Sequence, residues 1–520
     1  MDTKALRQKI LDLAIRGKLV PQDPNDEPAG VLLESIREQK QQMLKEGKLK
    51  KKDIKNDTII FKGEDNLHYE KFQDGTVKCI EDEIPFEVPE GWCWARVRDI
   101  AMVKGGKRLP KGASFSEEIT THAYIRVTDM KNHSVNISNL RYISDEIFSA
   151  IKNYTIAKDD LYVTIAGTIG VVGEIPDKLD GMNLTENAVK ITNIAINKSF
   201  LCIILQTDFV QQQFQDKTHQ VAIPKLALER ILSTLIPICP YVQQLQIVDR
   251  FQICDNFLST IDTEKEELQK IVSLSKYKIL DLAIRGKLVP QDPNDEPASV
   301  ILESIRIEKE ELIKQGKIKR DKKKSVIFKG DDNSYYEKIG NKVNCIDEEI
   351  PFELPEGWAF IRLKIAWELI SGRDLSPSEY NDKNDGIPYI TGASNFRNGH
   401  ISLVRWTTVP QVITRRGDLL LTCKGTIGEI AHNNFGEAHI ARQIMAIRNI
   451  YSLNVDFLAL CIEYSMTKIK QAAKGLIPGI SREDILNLVI PIPPIKEQEN
   501  ICNKLKVTFS AIEHIEKSLN

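Results

Sequence analysis

The side chains best equipped for chemistry in this chain are hydrogen-bond donors and acceptors clustered on glycine-bearing, basic segments. Lys104-Gly105-Gly106-Lys107-Arg108-Leu109-Pro110-Lys111 reads as a basic loop, and Arg126, Lys131 and Asn132 follow the apolar dipeptide Tyr124-Ile125. Later in the chain Arg373 takes the loop position, and Asn395, Arg397 and Asn398 follow Tyr389-Ile390. Asn187 aligns with Gln443, which Arg442 precedes. Thr168 and Thr426 lie in the matching turns TIAGTIG and TCKGTIG, with Lys424 in the second. Arg and Lys suit guanine edges, Asn and Gln suit adenine edges, and Lys, Arg and hydroxyls near turns suit phosphates. The alternative for each single residue is a solvated side chain or a turn-stabilising amide. The loops as sets are the better candidates.

Bond-making chemistry has no comparable support. A phosphate-cradling loop would need a glycine where Ala101 stands and a Ser or Thr where Arg108 stands. No G-x-G-x-x-G, H-E-x-x-H or G-x-S-x-G occurs, and Pro491–Ile495 lacks the Asp or Asn that an amino-methyltransferase places before its prolyl pair. Nine cysteines without a C-x-x-C pair and eight histidines without ligand spacing argue against structural zinc or a disulfide framework, and suit reduced thiols in a cytoplasmic protein. No run of 18 apolar residues occurs, so no membrane span is expected. The charged start MDTKALRQK does not read as a secretory signal. Net charge is −2 over 520 residues. Residues 92–240 carry 17 Lys/Arg against 15 Asp/Glu, and 358–494 carry 15 against 12, so both stretches are mildly basic and the connecting parts are acidic.

The elements that must position these residues come in two copies. Lys9–Ala29 and Lys278–Ala298 are identical over 21 positions, KILDLAIRGKLVPQDPNDEPA. ESIR (34–37), IFKG (60–63) and EIPFEVPEGW (83–92) return at 303–306, 327–330 and 349–358, the last with one substitution. Residues 95–158 and 361–416 share little beyond Tyr-Ile. Similarity returns at the T-I-G turns and at ILSTLIPI (231–238) and ILNLVIPI (485–492). Segments that stay identical are expected to meet two copies of one object, or each other across a pseudo-twofold axis. Segments that diverge must meet two different objects. A recent duplication alone would not explain why neighbours diverged at such different rates.

Heptad spacing runs through 247–282: Ile247, Phe251, Cys254, Leu258, Ile261, Lys265, Leu268, Val272, Ser275, Ile279 and Leu282. Pro237 and Pro240 precede it and Gly286 follows. The carboxyl-terminal residues Ile501, Leu505, Thr508, Ile512, Ile515 and Leu519 repeat its first part, and Leu6, Ile10 and Leu13 repeat its second. Two helices of about 60 Å, one continuous and one split between the termini, would then pair along their seams with the divergent lobes at opposite ends. The alternative is a helix packed only on its own lobe. The expected divisions are a terminal helix (1–21), a connector (22–90), a first lobe (91–240), the central helix (241–289), a second connector (290–356), a second lobe (357–494) and a closing helix (495–520). The lysine-rich runs 48–52 and 317–324 read as solvated helix tails. Pro21–Pro28 and Pro290–Pro297 read as turns leaving the helix.

Taken together, the repeated ILDLAIRGKLVPQDPNDEPA block, the lobes opening at P-E-G-W, the GDLLLTCKGTIG strand-turn and the IPIPPIKEQ lead into a helix resemble the specificity subunit of type I restriction–modification enzymes over the whole chain. Cys239-Pro240-Tyr241 in place of Pro493-Pro494-Ile495, and Asp159-Asp160 in place of Gly417-Asp418, depart from it in the first half. The resemblance implies two α/β target-recognition domains, each reading half of a bipartite double-stranded DNA site, separated by a pair of long antiparallel coiled-coil helices. It implies two docked methyltransferase subunits, with restriction/translocase subunits joining them. S-adenosylmethionine, ATP and magnesium would belong to those partners and none to this chain. The rivals are a chain with fused catalytic activity and a coiled-coil scaffold whose lobes bind protein.

Overall fold

A computed structural model describes residues 2–215, 226–318, 325–350, 352–397, 399–451, 453–472 and 479–519. Asn398 and residues 319–324 of the second lysine run lie outside the described residues. The chain divides into two units, Met1–Lys265 and Glu266–Asn520.

In the first unit, the helix Thr3–Ile15 starts at Asp2, whose carboxylate accepts from the Ala5 N–H, and stops at Gly17, with φ +64°. A Cβ on Gly17 would lie 2.4 Å from Pro89 Cγ and 3.1 Å from the Trp92 ring. On Gly286 it would lie 2.6 Å from Pro355 and 2.9 Å from Trp358. The two most strongly repeated segments therefore interlock within each unit. The helices Ala29–Lys45 and Ala298–Lys314 follow, then three-stranded antiparallel sheets over 59–79 and 325–345.

Each lobe is entered and left through one antiparallel strand pair, Cys93–Arg96 with Leu235–Ile238 in the first unit and Ala359–Arg362 with Val489–Ile492 in the second. Between them lie two four-stranded sheets. In the first lobe one sheet is ordered Val172–Glu174, Leu161–Thr164, Ala188–Thr192, Met102–Gly105, antiparallel throughout. The other is ordered Thr155–Ile156, Met182–Leu184, His122–Ile125, Arg141–Ile143, with its central pair parallel. The second lobe repeats both orders, with Ile430–His432, Leu419–Thr422, Ile444–Asn449 and Trp367–Ser371, and with Ile413–Thr414, Ala438–Ile440, Ile387–Ile390 and Trp406–Thr407. The topology thus persists through the stretches whose sequences diverged.

Strand alternation explains how it persists. Successive side chains of a strand point to opposite faces. Leu161, Val163, Val189 and Ile191 face a core that includes Phe200 and Phe214, while Tyr162 and Ala188 face the second sheet. Leu419, Leu421, Met445 and Ile447 face the corresponding core in the second unit, and Leu420, Ile444 and Ala446 face its second sheet. With both faces covered, only apolar character matters, and identity is free to drift.

A buried ion cluster fastens each connector to its lobe. The Arg96 guanidinium donates to Glu70 (2.8 Å), Glu83 (2.8 Å) and the Ser233 carbonyl (3.0 Å). Arg362 donates to Glu337 (2.7 Å), Glu349 (2.6 Å) and the Asn487 carbonyl (2.8 Å). Burial pushes the Glu70 and Glu337 carboxyls up, but the guanidinium hydrogen bonds and charge outweigh it, and both end below the ordinary glutamate value.

The helix Tyr241–Ile284 runs 44 residues. In the first unit it buries Ile247, Phe251 and Leu258. Thr3 Oγ1 donates to Asp262 (2.6 Å) and Arg7 to Asp255 (2.5 Å), an antiparallel register for the terminal helix. In the second unit Val272 is buried, Lys276 pairs with Glu516 of the helix Ile495–Leu519 at 2.7 Å, and Ile501 and Leu505 are buried. Ile10, Leu13, Ile261, Ile279, Leu282 and Ile512 are half-buried. Three expected seam positions are not in the seam: Leu6, Leu268 and Ile515 are exposed. The Arg7 pairing turns Thr3 and Arg7 inward in place of Leu6. After Ile512 the inner face passes to Glu516.

Arg362→Met should lower the stability of its unit by about 3–5 kcal/mol, because it strands the buried Glu337 carboxylate. Lys62→Met, at the exposed pair with Glu87, should change stability by less than about 1 kcal/mol. Denaturant unfolding with hydrogen exchange to localise the loss checks both. Acid should also loosen the clusters, since the lowered glutamates stabilise the fold above the ordinary range and lose that contribution as pH falls through their folded values.

Asp99 behaves oppositely and exists only in the first unit; Ile365 stands in its place in the second. It accepts the N–H groups of Thr58 (2.8 Å) and Arg96 (2.9 Å) in a buried position, and burial pushes its carboxyl up from 3.8 to about 6. The first unit should therefore lose stability as pH rises from 3.8 through about 6. Asp99→Asn should flatten that slope in thermal melts across this window.

Candidate nucleic-acid interface

One end of the antiparallel sheet gathers most of the candidate readers in each lobe. The chain leaving Met102–Gly105 passes between two neighbouring strand ends. The Gly106 N–H donates to the Ala188 carbonyl (3.0 Å) and the Lys107 N–H to the Leu184 carbonyl (2.9 Å). The second lobe makes the same crossing, Gly372 to Ile444 (3.0 Å) and Arg373 to Ile440 (2.9 Å). A Cβ would come within 2.0 Å of the Thr185 carbonyl at Gly106 and within 2.1 Å of the Ala441 carbonyl at Gly372, so a glycine is required at both crossings. The T-I-G turn closes against the same loop: the Ile165 N–H reaches the Asn187 carbonyl and the Cys423 N–H the Gln443 carbonyl, each at 2.8 Å.

This framework brings Lys107, Arg108, Thr168 and Asn187 to one sheet end in the first lobe, all exposed. It brings Arg373, Lys424, Thr426, Arg442 and Gln443 to the matching end in the second, also exposed. The Lys107 ammonium lies 5.4 Å over the Tyr154 ring. Lys111 and Arg397 are exposed but stand off these turns, Arg397 on the short strand Phe396–Arg397.

Four candidates turn out differently. Lys104 is exposed but belongs to the strand Met102–Gly105, paired with Lys190, not to a loop. Arg126 spends its fork inside the fold, donating to both oxygens of buried Asp129 (3.0 and 2.7 Å) and to the Asn139 carbonyl (2.9 Å). Asn395 is 1% exposed: its Oδ1 accepts from Thr391 and Gly392 N–H groups and its Nδ2 donates to the Ser402 carbonyl. A buried amide satisfied in this way has nothing left to offer a base. Asn132 and His133, both with positive φ, form the two-residue turn of the hairpin carrying Lys131, a conformation that favours Asn.

Sequence reasoning missed the acids of this site. Arg108 pairs with Glu186 at 3.1 Å, and Glu186 also accepts from Thr185 Oγ1 (3.1 Å) and Tyr124 OH (3.4 Å). Burial raises the Glu186 carboxyl, but its own backbone N–H, the Thr185 hydroxyl and the Arg108 charge outweigh it and leave it below the ordinary value. In the second lobe Arg442 pairs with Asp374 at 2.7 Å, and the Arg442 N–H donates to the same carboxylate (3.1 Å). Counting on from the crossing glycines, Arg108 corresponds to Asp374; counting back from the carbonyls they meet, Ala188 and Ile444, Glu186 corresponds to Arg442. The pair is kept and its polarity is reversed. The Asn187–Gln443 alignment already set Glu186 against Arg442, but the stretch around Gly106 and Gly372 is too divergent to set Arg108 against Asp374. Among the described residues, no three His, Cys, Asp or Glu side chains are placed to hold a metal ion, and no helix is long and apolar enough to cross a membrane.

Comparison with known proteins agrees with this geometry. Residues 89–271 and 355–520 match the family described as the type I restriction modification DNA specificity domain. The type I restriction enzyme EcoAI specificity subunit of Escherichia coli is 26% identical, the match covering 97% of this chain and 90% of that one. The EcoEI specificity subunit of Escherichia coli is 25% identical over 99% and 90%. A chain from a structural study of complex assembly and conformational transition of the type I R-M system shares the fold with a TM-score of 0.55 at 17% identity, covering 84% of this chain and 94% of that chain. With both lobes matched and both carrying the same turn framework, the chain belongs to the type I restriction–modification specificity family.

Proposed function

We propose that the chain is a non-catalytic reader of duplex DNA, each lobe contacting one half of a bipartite, asymmetric site. The observation that carries this reading is the sheet-end framework: held by the same main-chain hydrogen bonds in both lobes and different in the side chains it presents. A shared framework with unlike side chains is what two unlike half-sites require. Phosphate contacts would come from Lys107, Lys111, Thr168, Lys424 and Thr426, and base contacts from Arg108, Asn187, Arg373, Arg442 and Gln443. The helix Tyr241–Ile284 would set the unread gap, as dimer geometry does in other DNA binders.

Two methyltransferase subunits would dock on the repeated connectors, with restriction/translocase subunits joining the assembly in the cytoplasm. The interlocked Gly17–Trp92 and Gly286–Trp358 faces are used up inside each unit, which leaves the outer faces of Ala29–Lys45 and Ala298–Lys314. Val31 and Val300, at matching positions there, are both exposed and support this placement. S-adenosylmethionine, ATP and magnesium would be bound by those partners.

Affinity of the full chain for duplex DNA should fall linearly on a log–log plot against salt, with a slope of about −0.9 per phosphate neutralised. Indifference to salt would favour a protein-binding scaffold instead. The purified chain alone should transfer no methyl groups from S-adenosylmethionine to DNA; transfer without partners would overturn the non-catalytic assignment.

A further inference from the structure

We infer that the polarity-reversed ion pairs Arg108–Glu186 and Asp374–Arg442 are specificity determinants, each facing one G·C pair, and that the two lobes read that pair in opposite orientations. The inference deepens the DNA-reading function and rests on it. The argument starts from the backbone. The crossing glycines fix residues 108 and 374 on the same loop, and the strand-end turns fix residues 186 and 442 on the opposite one. Arg108 is 75% exposed beside Glu186, and Arg442 is 67% exposed beside Asp374.

An exposed ion pair stabilises a fold little. A purely structural role would therefore not require that a cation and an anion be kept together while their places are exchanged. Recognition would. On its major-groove edge guanine offers two acceptors, O6 and N7, and cytosine offers the N4 donor. A guanidinium beside a carboxylate matches that edge directly, fork to guanine and carboxylate to cytosine. Exchanging the two side chains on an unchanged backbone matches the same pair turned around. Each acid is also anchored by the fold, Glu186 by Thr185 and Tyr124 and Asp374 by the Arg442 N–H. The carboxylate is thus held in place for its base and holds the guanidinium in register.

The test is selection from a randomised duplex DNA library by the full-length chain, purified with whatever partners accompany it. The unaltered chain should enrich a split site with one strongly preferred G·C position in each half. Arg108→Gln should weaken the guanine preference at a single position of one half by about tenfold to a hundredfold and move it toward adenine. The exchange Arg108→Glu with Glu186→Arg should invert that base pair. The other half-site should be unchanged in both variants, which also shows that the chain is folded. An unchanged site in the exchanged variant, uniform weakening across all sequences, or loss of the whole half-site in both variants would each overturn the inference. Failure of the unaltered chain to select any site would overturn the DNA-reading function itself, and is distinguishable because it precedes any substitution.

Discussion

The close passage of one strand exit between two neighbouring strand ends is the constraint on which each lobe's site depends. At Gly106 and Gly372 the backbone lies so near a carbonyl oxygen that no side chain fits. That contact ties the sheet-exit loop to the loop bearing Asn187 or Gln443, and the T-I-G turn then closes onto the latter. Three segments distant in sequence become one rigid edge. Loops that carry recognition residues are ordinarily the least constrained part of a fold. Here they are pinned by main-chain hydrogen bonds, which are indifferent to the identity of the side chains they display. This is why one framework can carry Lys-Arg in the first lobe and Arg-Asp in the second.

A second level of constraint explains the unequal drift of the two copies. Gly17, Pro89 and Trp92 interlock, and the Trp92 indole N–H donates to Gln22 and Gln243. Arg96 and Arg362 each join a connector sheet, a turn and both edges of a lobe through buried charge. Leaving such a charge without its partners costs several kcal/mol, and Arg96, Glu70 and Glu83 are kept in the second copy as Arg362, Glu337 and Glu349. The lobe strands need only remain apolar on two faces, and they have changed freely.

Much of the architecture was legible in the sequence: the duplication, the long helix and the two lobes each follow from repeats and periodicity. The seam was legible where apolar residues pack, at Ile247, Phe251, Leu258, Ile501 and Leu505. It was not at Leu268, nor at Leu6 and Ile515, beside which the polar pairs Arg7–Asp255 and Lys276–Glu516 face the neighbouring helix. Residue type picked out Arg108, Asn187, Arg442 and Gln443, which are exposed. It could not separate them from Arg126 and Asn395, whose chemistry is the same but whose hydrogen bonds are spent inside the fold. Nor could it find Glu186 and Asp374, since an acid is not what a search for DNA contacts looks for. Their meaning appears only when the two lobes are laid on one another.

The paired entry and exit strands have a consequence for how such chains change over time. In each unit the chain enters and leaves the lobe through a two-strand stem, with Cys93 opposite Ile238 and Arg96 opposite Leu235 in the first. A replacement for everything distal to that stem can keep the ends it hangs from, provided it also keeps the apolar face that packs on Leu11, Ile15, Ile247 and Phe251. Recombination with crossovers in the conserved blocks on either side would deliver a new lobe already in frame. A lineage could thereby acquire a new half-site in one step, with the helices and the other lobe inherited intact.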